Sequence, residues 1–279
     1  MSAIYKTEAG EQELRRRYQE ELRTWPVPAD HLRVPTREGE TFVLASGPAN
    51  APPVVLLHGS GANATMWRQD AAAWARHFRT YAVDLVGEPG LSAPSRPPLS
   101  SGAHRLWLDD VLEGLGLVDT ALVGTSLGGW MALDYAAHRP DRVRRLALLC
   151  PGGVGAQKVG WLFATLLLRP FGRRGRRRSV LVATGLDALS AGPALDRISL
   201  TFEQFRPRTE RLPVFSDDTL RRLTMPVQVS VGERDAMFDS AGTASRVRRC
   251  VPHASVHVLP GVGHAILDRS GAVLEFLRA

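Results

Sequence analysis

The sequence predicts an α/β chain: a doubly wound, mostly parallel sheet carrying an inserted helical cap. Three observations carry this. Strand-length apolar runs alternate with helix-length stretches at the spacing of right-handed βαβ units. Pro53–Leu57 is apolar throughout, as in a strand covered on both faces, and Arg142–Cys150 reads as another buried strand. The apolar run Ala121-Leu122-Val123 leads directly into Gly124-Thr125-Ser126-Leu127-Gly128 and then a helix-like stretch ending before Arg139-Pro140. Strand, sharp turn and helix make the context in which a serine is held in a strained turn above a sheet edge.

The N-terminal stretch 8–24 places Leu14, Tyr18 and Leu22 four residues apart among charges, an amphipathic helix ended by Trp25-Pro26-Val27-Pro28. His31–Pro35 and Thr41–Ala45, joined at Glu38-Gly39, read as an opening hairpin. Pro53–Leu57 is the first buried parallel strand, followed by His58-Gly59-Ser60-Gly61 and a helix over 66–78. Arg79–Leu85 is a strand with Asp84 near its end, then a Gly/Pro-rich loop to Pro98. Leu106, Val111, Leu112 and Leu115 mark a helix before the serine strand. Arg142–Cys150, Val227–Val231 and Ser255–Leu259 read as further strands, with helices over 241–250 and 265–277. Residues 151–222 interrupt the alternation with helical apolar stretches at 159–168, 180–189 and 198–205. The chain therefore divides into an N-terminal helix and linker (1–30), a core (31–150 and 223–279) and a helical cap (151–222).

Composition narrows the function. The 279 residues carry 35 basic and 28 acidic side chains, and only Lys6 and Lys158 are lysines. Such basicity admits an anionic partner, but no nucleic-acid module accompanies it, and one run alone concentrates it, from Arg173 to Arg178. These arginines are expected in solvent, away from the chemistry. The longest strongly apolar run, Val159–Leu168, is half of what a membrane span needs. Cys150 and Cys250 have neither metal spacing nor a disulfide framework. The N-terminus lacks a signal-peptide layout, so a cytoplasmic location is expected, with no metal and no cofactor.

Three features fall where Ser126 would want partners. Asp235 lies just past a strand end, His264 on a loop past the final strand, and His58-Gly59-Ser60-Gly61 offers backbone N–H groups after an early strand. In this order and these strand contexts they resemble the α/β-hydrolase fold superfamily over about residues 31–277, and specifically serine hydrolases of the bacterial carboxylesterase type. The resemblance implies Ser126 as nucleophile, His264 as general base and then acid, and Asp235 as the group that orients the imidazole. It implies an oxyanion hole from the backbone N–H groups of Ser60 and Leu127. The position after Arg142–Cys150, where some relatives carry the acid, holds Cys150-Pro151-Gly152 and offers no carboxylate. Glu233 is a competing acid that points the other way if the strand persists, and Asp268 reads as charge at a helix N-terminus. His58 reads as a structural histidine fixing its loop, and Glu88 as part of a surface turn, with a place facing the site as the alternative.

The implied activity is hydrolysis of a carboxylic ester of a small, mainly apolar substrate through an acyl-enzyme. Carbon–carbon bond hydrolysis or acyl transfer is the alternative within enzymes, although ring-fission hydrolases typically continue HGSG with Pro-Gly and place Asn before the serine. Here Ala62-Asn63 and Thr125 stand in those places. A non-catalytic small-ligand-binding member of the fold is the alternative of another class. The apolar stretch 159–168 is expected to contribute some of Trp161, Phe163, Leu166 and Leu167 to the cavity over Ser126, since a small cap cannot bury all its faces; the alternative is a helix wholly covered by the other cap helices and the sheet edge.

Overall fold

The computed structural model describes residues 4–187 and 192–279. Its elements in chain order are α1 (Glu8–Arg23), β1 (Ala29–Val34), β2 (Thr41–Ser46), β3 (Pro53–Leu57), α2 (Arg68–Trp74), β4 (Arg79–Val83) and α3 (Ala103–Gly114). There follow β5 (Thr120–Thr125), α4 (Leu127–His138), β6 (Val143–Leu149), α5 (Gly160–Leu168), α6 (Gly172–Thr184), α7 (Gly192–Gln204) and α8 (Asp217–Arg221). The chain closes with β7 (Val227–Gly232), α9 (Ser240–Cys250), β8 (Ser255–Leu259) and α10 (Ser270–Arg278).

One sheet holds these strands in the order β1-β2-β4-β3-β5-β6-β7-β8. β1 and β2 pair antiparallel as the expected hairpin, β2 joins β4 antiparallel, and every later pairing is parallel. Because strand side chains alternate, two cores form. Val55, Leu57 and Leu122 face one core with Trp107 and Val111 of α3, Ala132 of α4 and Val247 of α9. Val54, Leu56 and Val123 face the other with Tyr18 of α1, Trp74 of α2 and Val273 of α10. The chain runs from β3 to β4 on one side, then returns to place β5 on the other side of β3. That reversal opens the crevice at the strand carboxyl ends where such sheets build sites.

Local chemistry sets several boundaries away from those read in the sequence. Residues 64–67 form a 3₁₀ turn begun by Asn63, whose Oδ1 accepts the Thr65 N–H, so the expected helix over 66–78 reduces to α2. The arginine run does not precede a helix as a separate segment but opens α6, which ends at Gly185 with φ +67°. Residues 188 and 189 of the expected 180–189 helix lie outside the described residues. The final helix starts at Ser270, not 265; the Ala265 N–H donates to the Thr184 carbonyl. Asp268 therefore shares no helix with His264 and stands just before the N-terminus of α10.

Candidate active site

The turn after β5 stands at the crevice. Ser126 has φ +53°, the strained left-handed side that a non-glycine residue adopts only under constraint. The constraint is close packing around it: a Cβ at Gly128 would sit 2.2 Å from the Leu57 carbonyl oxygen, and one at Gly124 would sit 2.5 Å from the Gly128 carbonyl oxygen. Only glycine lets β5, α4 and β3 approach this closely.

His264 follows β8 on a loop that bonds to α6 through Thr184. Its Nε2 lies 3.0 Å from Ser126 Oγ and its Nδ1 2.8 Å from Asp235 Oδ2. An ionised Asp235 only accepts, so Nδ1 carries the proton and Nε2 is left to accept from the serine hydroxyl. Asp235 is buried, and its other oxygen accepts the N–H groups of Met237 (2.7 Å) and Phe238 (3.0 Å). Burial alone would push its carboxyl up, but the bond to His264 and its charge, with those two N–H groups, outweigh it and hold the value below the ordinary range. The Phe238 ring lies edge-on to the imidazole with centroids 5.2 Å apart, closing one side of it.

Glu233 is not part of this chain. Its Oε2 accepts the Gly261 N–H at 2.9 Å, bracing the loop after β8. His58 is fully buried, bonded through Nδ1 to the Gly59 carbonyl (2.8 Å), while its Nε2 accepts the Leu85 N–H (3.0 Å). Burial lowers it to about 4, so it is a neutral brace between the loops after β3 and β4.

The backbone N–H groups of Ser60 and Leu127 donate to no acceptor among the described residues. The first belongs to the turn after β3, the second to the first turn of α4, where the helix dipole favours negative charge. The expected surface turn at Glu88 is corrected by the structure. Glu88 is 1% exposed, and its Oε2 accepts both the Gly61 N–H (2.6 Å) and the Ser60 hydroxyl (3.1 Å). Burial raises its carboxyl against the opposing pull of Gly61, Arg96, Ser60 and Arg208. In the sequence Glu88 stands in a Gly/Pro-rich loop, Gly87-Glu88-Pro89-Gly90, which does not by itself tell a buried acid from one facing water.

Cys150, Asp235 and His264 offer ligand atoms within 4.8 Å of one another. The donor set does not suit a resident cation: both imidazole nitrogens are committed, and burial, then the Asp235 charge, push the Cys150 thiol well above its ordinary value. A cleft of about 510 Å³ lined by Pro28, Gly47, Arg76 and Arg79 contains none of the site residues.

Of the side chains expected over the serine, Trp161 is half-buried and donates to the Lys158 carbonyl, while Phe163, Leu166 and Leu167 are exposed, and α5 holds no buried residue. Phe202 of α7 stands against the turn after β3, its ring 3.2 Å from where a Gly61 Cβ would be.

Comparisons with known proteins bear on the family and the fold. The model of the alpha/beta hydrolase family matches residues 54–276. Carboxylesterase YbfK of Bacillus subtilis (strain 168) is 32% identical over 259 residues, covering 89% of this chain and 86% of the relative. Its crystal structure, that of carboxylesterase CesB (YbfK), superposes with a TM-score of 0.82 at 29% identity, covering 96% of both chains. The structure of naproxen esterase from Bacillus subtilis superposes with a TM-score of 0.78 at 28% identity, covering 97% of this chain and 93% of that one. With most of its length matched by the family and the sheet order to go with it, the chain belongs to the alpha/beta hydrolase family.

Proposed function

We propose that the protein is a serine carboxylesterase that hydrolyses esters of small, mainly apolar substrates, with Ser126, His264 and Asp235 as its triad. The observation that carries this is the unbroken bonding from Ser126 Oγ through the imidazole to Asp235, opposite two unsatisfied backbone N–H groups. The carboxylesterase relatives support it.

In this reading Ser126 Oγ attacks the ester carbonyl carbon as His264 Nε2 takes its proton. The carbonyl oxygen becomes an oxyanion held by the Ser60 and Leu127 N–H groups, each worth about 3 kcal/mol in the transition state. The imidazolium, stabilised by Asp235, returns the proton to the departing alcohol. An acyl group is left on Ser126. Water, deprotonated by His264, then attacks the acyl carbon, and the imidazolium returns that proton to Ser126 Oγ as the acid departs. Glu88 touches no reacting atom; it holds the turn that presents Ser60. A fluorophosphonate probe tests the reading, together with p-nitrophenyl esters of increasing chain length. Labelling at Ser126 with turnover of the esters is expected, and an unlabelled, inactive protein would mark a binding member of the fold.

A further inference from the structure

The hairpin of α5 and α6 presents an apolar surface to water. Leu162, Phe163, Leu166 and Leu167 are 47, 67, 57 and 74% exposed, and Phe171 beyond them 68%. Their spacing puts the four on one side of α5. A monomer in water has no use for a patch of this kind, which marks an interaction surface. Beside it, α6 opens with the arginine run. Arg176 and Arg177 are paired with Glu203 and Asp196. Arg173, Arg174 and Arg178 are exposed and have no ion-pair or hydrogen-bond partner among the described residues. The hairpin is tied to the site at both ends. The Lys158 N–H and Nζ donate to the Met237 (2.7 Å) and Asp235 (2.9 Å) carbonyls, and the Thr184 carbonyl accepts the Ala265 N–H at 2.8 Å.

We propose that this hairpin is a docking surface for an anionic lipid bilayer. The α5 side chains enter the headgroup–acyl boundary, and the unpaired arginines meet lipid phosphates. Charge selects the occupant. A two-fold dimer sets a surface patch against itself, bringing the unpaired arginines of two copies together. An anionic surface neutralises them instead. No helix among the described residues is long and apolar enough to cross a membrane, so the contact is interfacial. Docking there would place the triad loops at the bilayer surface and favour membrane-partitioned esters as substrates, a consequence that rests on the esterase reading while the docking itself does not.

The test is flotation of the Ser126→Ala protein with vesicles of phosphatidylglycerol and phosphatidylethanolamine, against vesicles of phosphatidylcholine alone. Using the inactive protein separates docking from hydrolysis, so either reading can fail without the other. Binding to the anionic vesicles is expected, weakening steeply with salt. Replacing Arg173, Arg174 and Arg178 together with alanine should cut partitioning on the order of a hundredfold. Phe163→Ser with Leu167→Ser should cut it at least about tenfold. Thermal melting followed by circular dichroism should stay unchanged in both variants, because these side chains are exposed. No binding to anionic vesicles, or binding that the arginine replacements leave untouched, overturns the proposal. So does a lipid-free dimer in analytical ultracentrifugation that the Phe163 and Leu167 changes dissolve, since a second copy would then cover the patch.

Discussion

Glu88 Oε2 accepts the Gly61 N–H at 2.6 Å, from a carboxyl group buried behind the turn that carries Ser60. An acceptor in that position fixes which way the peptides of the turn point. The Ser60 N–H is one residue away, and its direction decides whether an oxyanion finds one donor or two. A donor aimed correctly beforehand needs no reorganisation during reaction, which is where such groups gain their effect.

Glu88→Ala should therefore lower kcat by about ten- to a hundredfold, part of the full loss of an oxyanion donor, with KM nearly unchanged. Glu88→Gln keeps an acceptor for Gly61 and should recover most of the rate. Steady-state kinetics with an acetate ester check this. If KM rises while kcat holds, Glu88 shapes the substrate pocket and not the turn.

The triad makes a sharper prediction. Ser126→Ala and His264→Ala should each lower kcat by about 10⁵ to 10⁶, and Asp235→Asn somewhat less, with folding intact. Glu233→Gln should leave the rate close to wild type, since its carboxyl braces Gly261 and does not reach the imidazole. Equal damage from Glu233→Gln and Asp235→Asn would overturn the assignment of the acid. Asp235 is held below the ordinary carboxylate range, so its carboxylate stays ionised and keeps accepting from the imidazole N–H in mild acid.

Much of this was legible in the sequence. Pro53–Leu57, Ser255–Leu259 and the helix after Ser126 appear where their apolar runs and breakers put them, because such signals are local. Ser126, Asp235 and His264 were readable from their positions after strands. Their meeting within hydrogen-bond distance is a tertiary fact that the spacing alone does not contain. Glu88 was misread because a loop acid looks the same whether it faces water or a neighbouring turn, and only the β3 loop tells them apart. The 159–168 helix was recognised as apolar, but its exposure depends on how much of the insert covers it, which periodicity does not encode. Arg173, Arg174 and Arg178 are exposed as their charge suggests, but that the run opens a helix starting at Gly172 is set by packing that the charge pattern does not encode.

His58 gives a prediction about stability. Its value is lowered by burial from 6.5 to about 4, the Gly59 bond opposing in part. The folded state thus favours the neutral ring. Above pH 6.5 the ring is neutral in both states, and its contribution is complete. As pH falls from about 6.5 toward 4, the unfolded chain takes up a proton that the folded chain resists, and stability is lost, up to about 3 kcal/mol. A His58→Asn variant lacks this titration. The stability advantage of wild type over it should be largest above pH 6.5 and shrink toward pH 4. Urea unfolding at pH 7.5 and at pH 4.5 measures the difference; a constant gap would mean that His58 is not held neutral.

The last prediction concerns Phe202, the α7 side chain nearest the oxyanion turn. Its ring is 37% exposed, so it borders open space and is not sealed in a core. The N-terminal segment holds this part of α7 in place. The Phe202 carbonyl accepts from Lys6 Nζ at 2.7 Å, the Gln204 carbonyl from the Lys6 N–H at 2.7 Å, and the Ile4 carbonyl from the Arg206 N–H at 2.8 Å. Tyr5 packs edge-on against Phe205 in the same strap. If the turn after β3 receives the oxyanion as proposed, a ring pinned beside it limits the size of the ester group lying past it. Phe202→Ala should shift the preference among p-nitrophenyl esters toward longer or branched acyl chains, and Phe202→Trp toward acetate. One or a few methylenes in an apolar site are worth about 1–3 kcal/mol, so shifts of ten- to about two-hundredfold in relative kcat/KM are expected. A chain-length profile unmoved by both replacements would place the substrate away from α7.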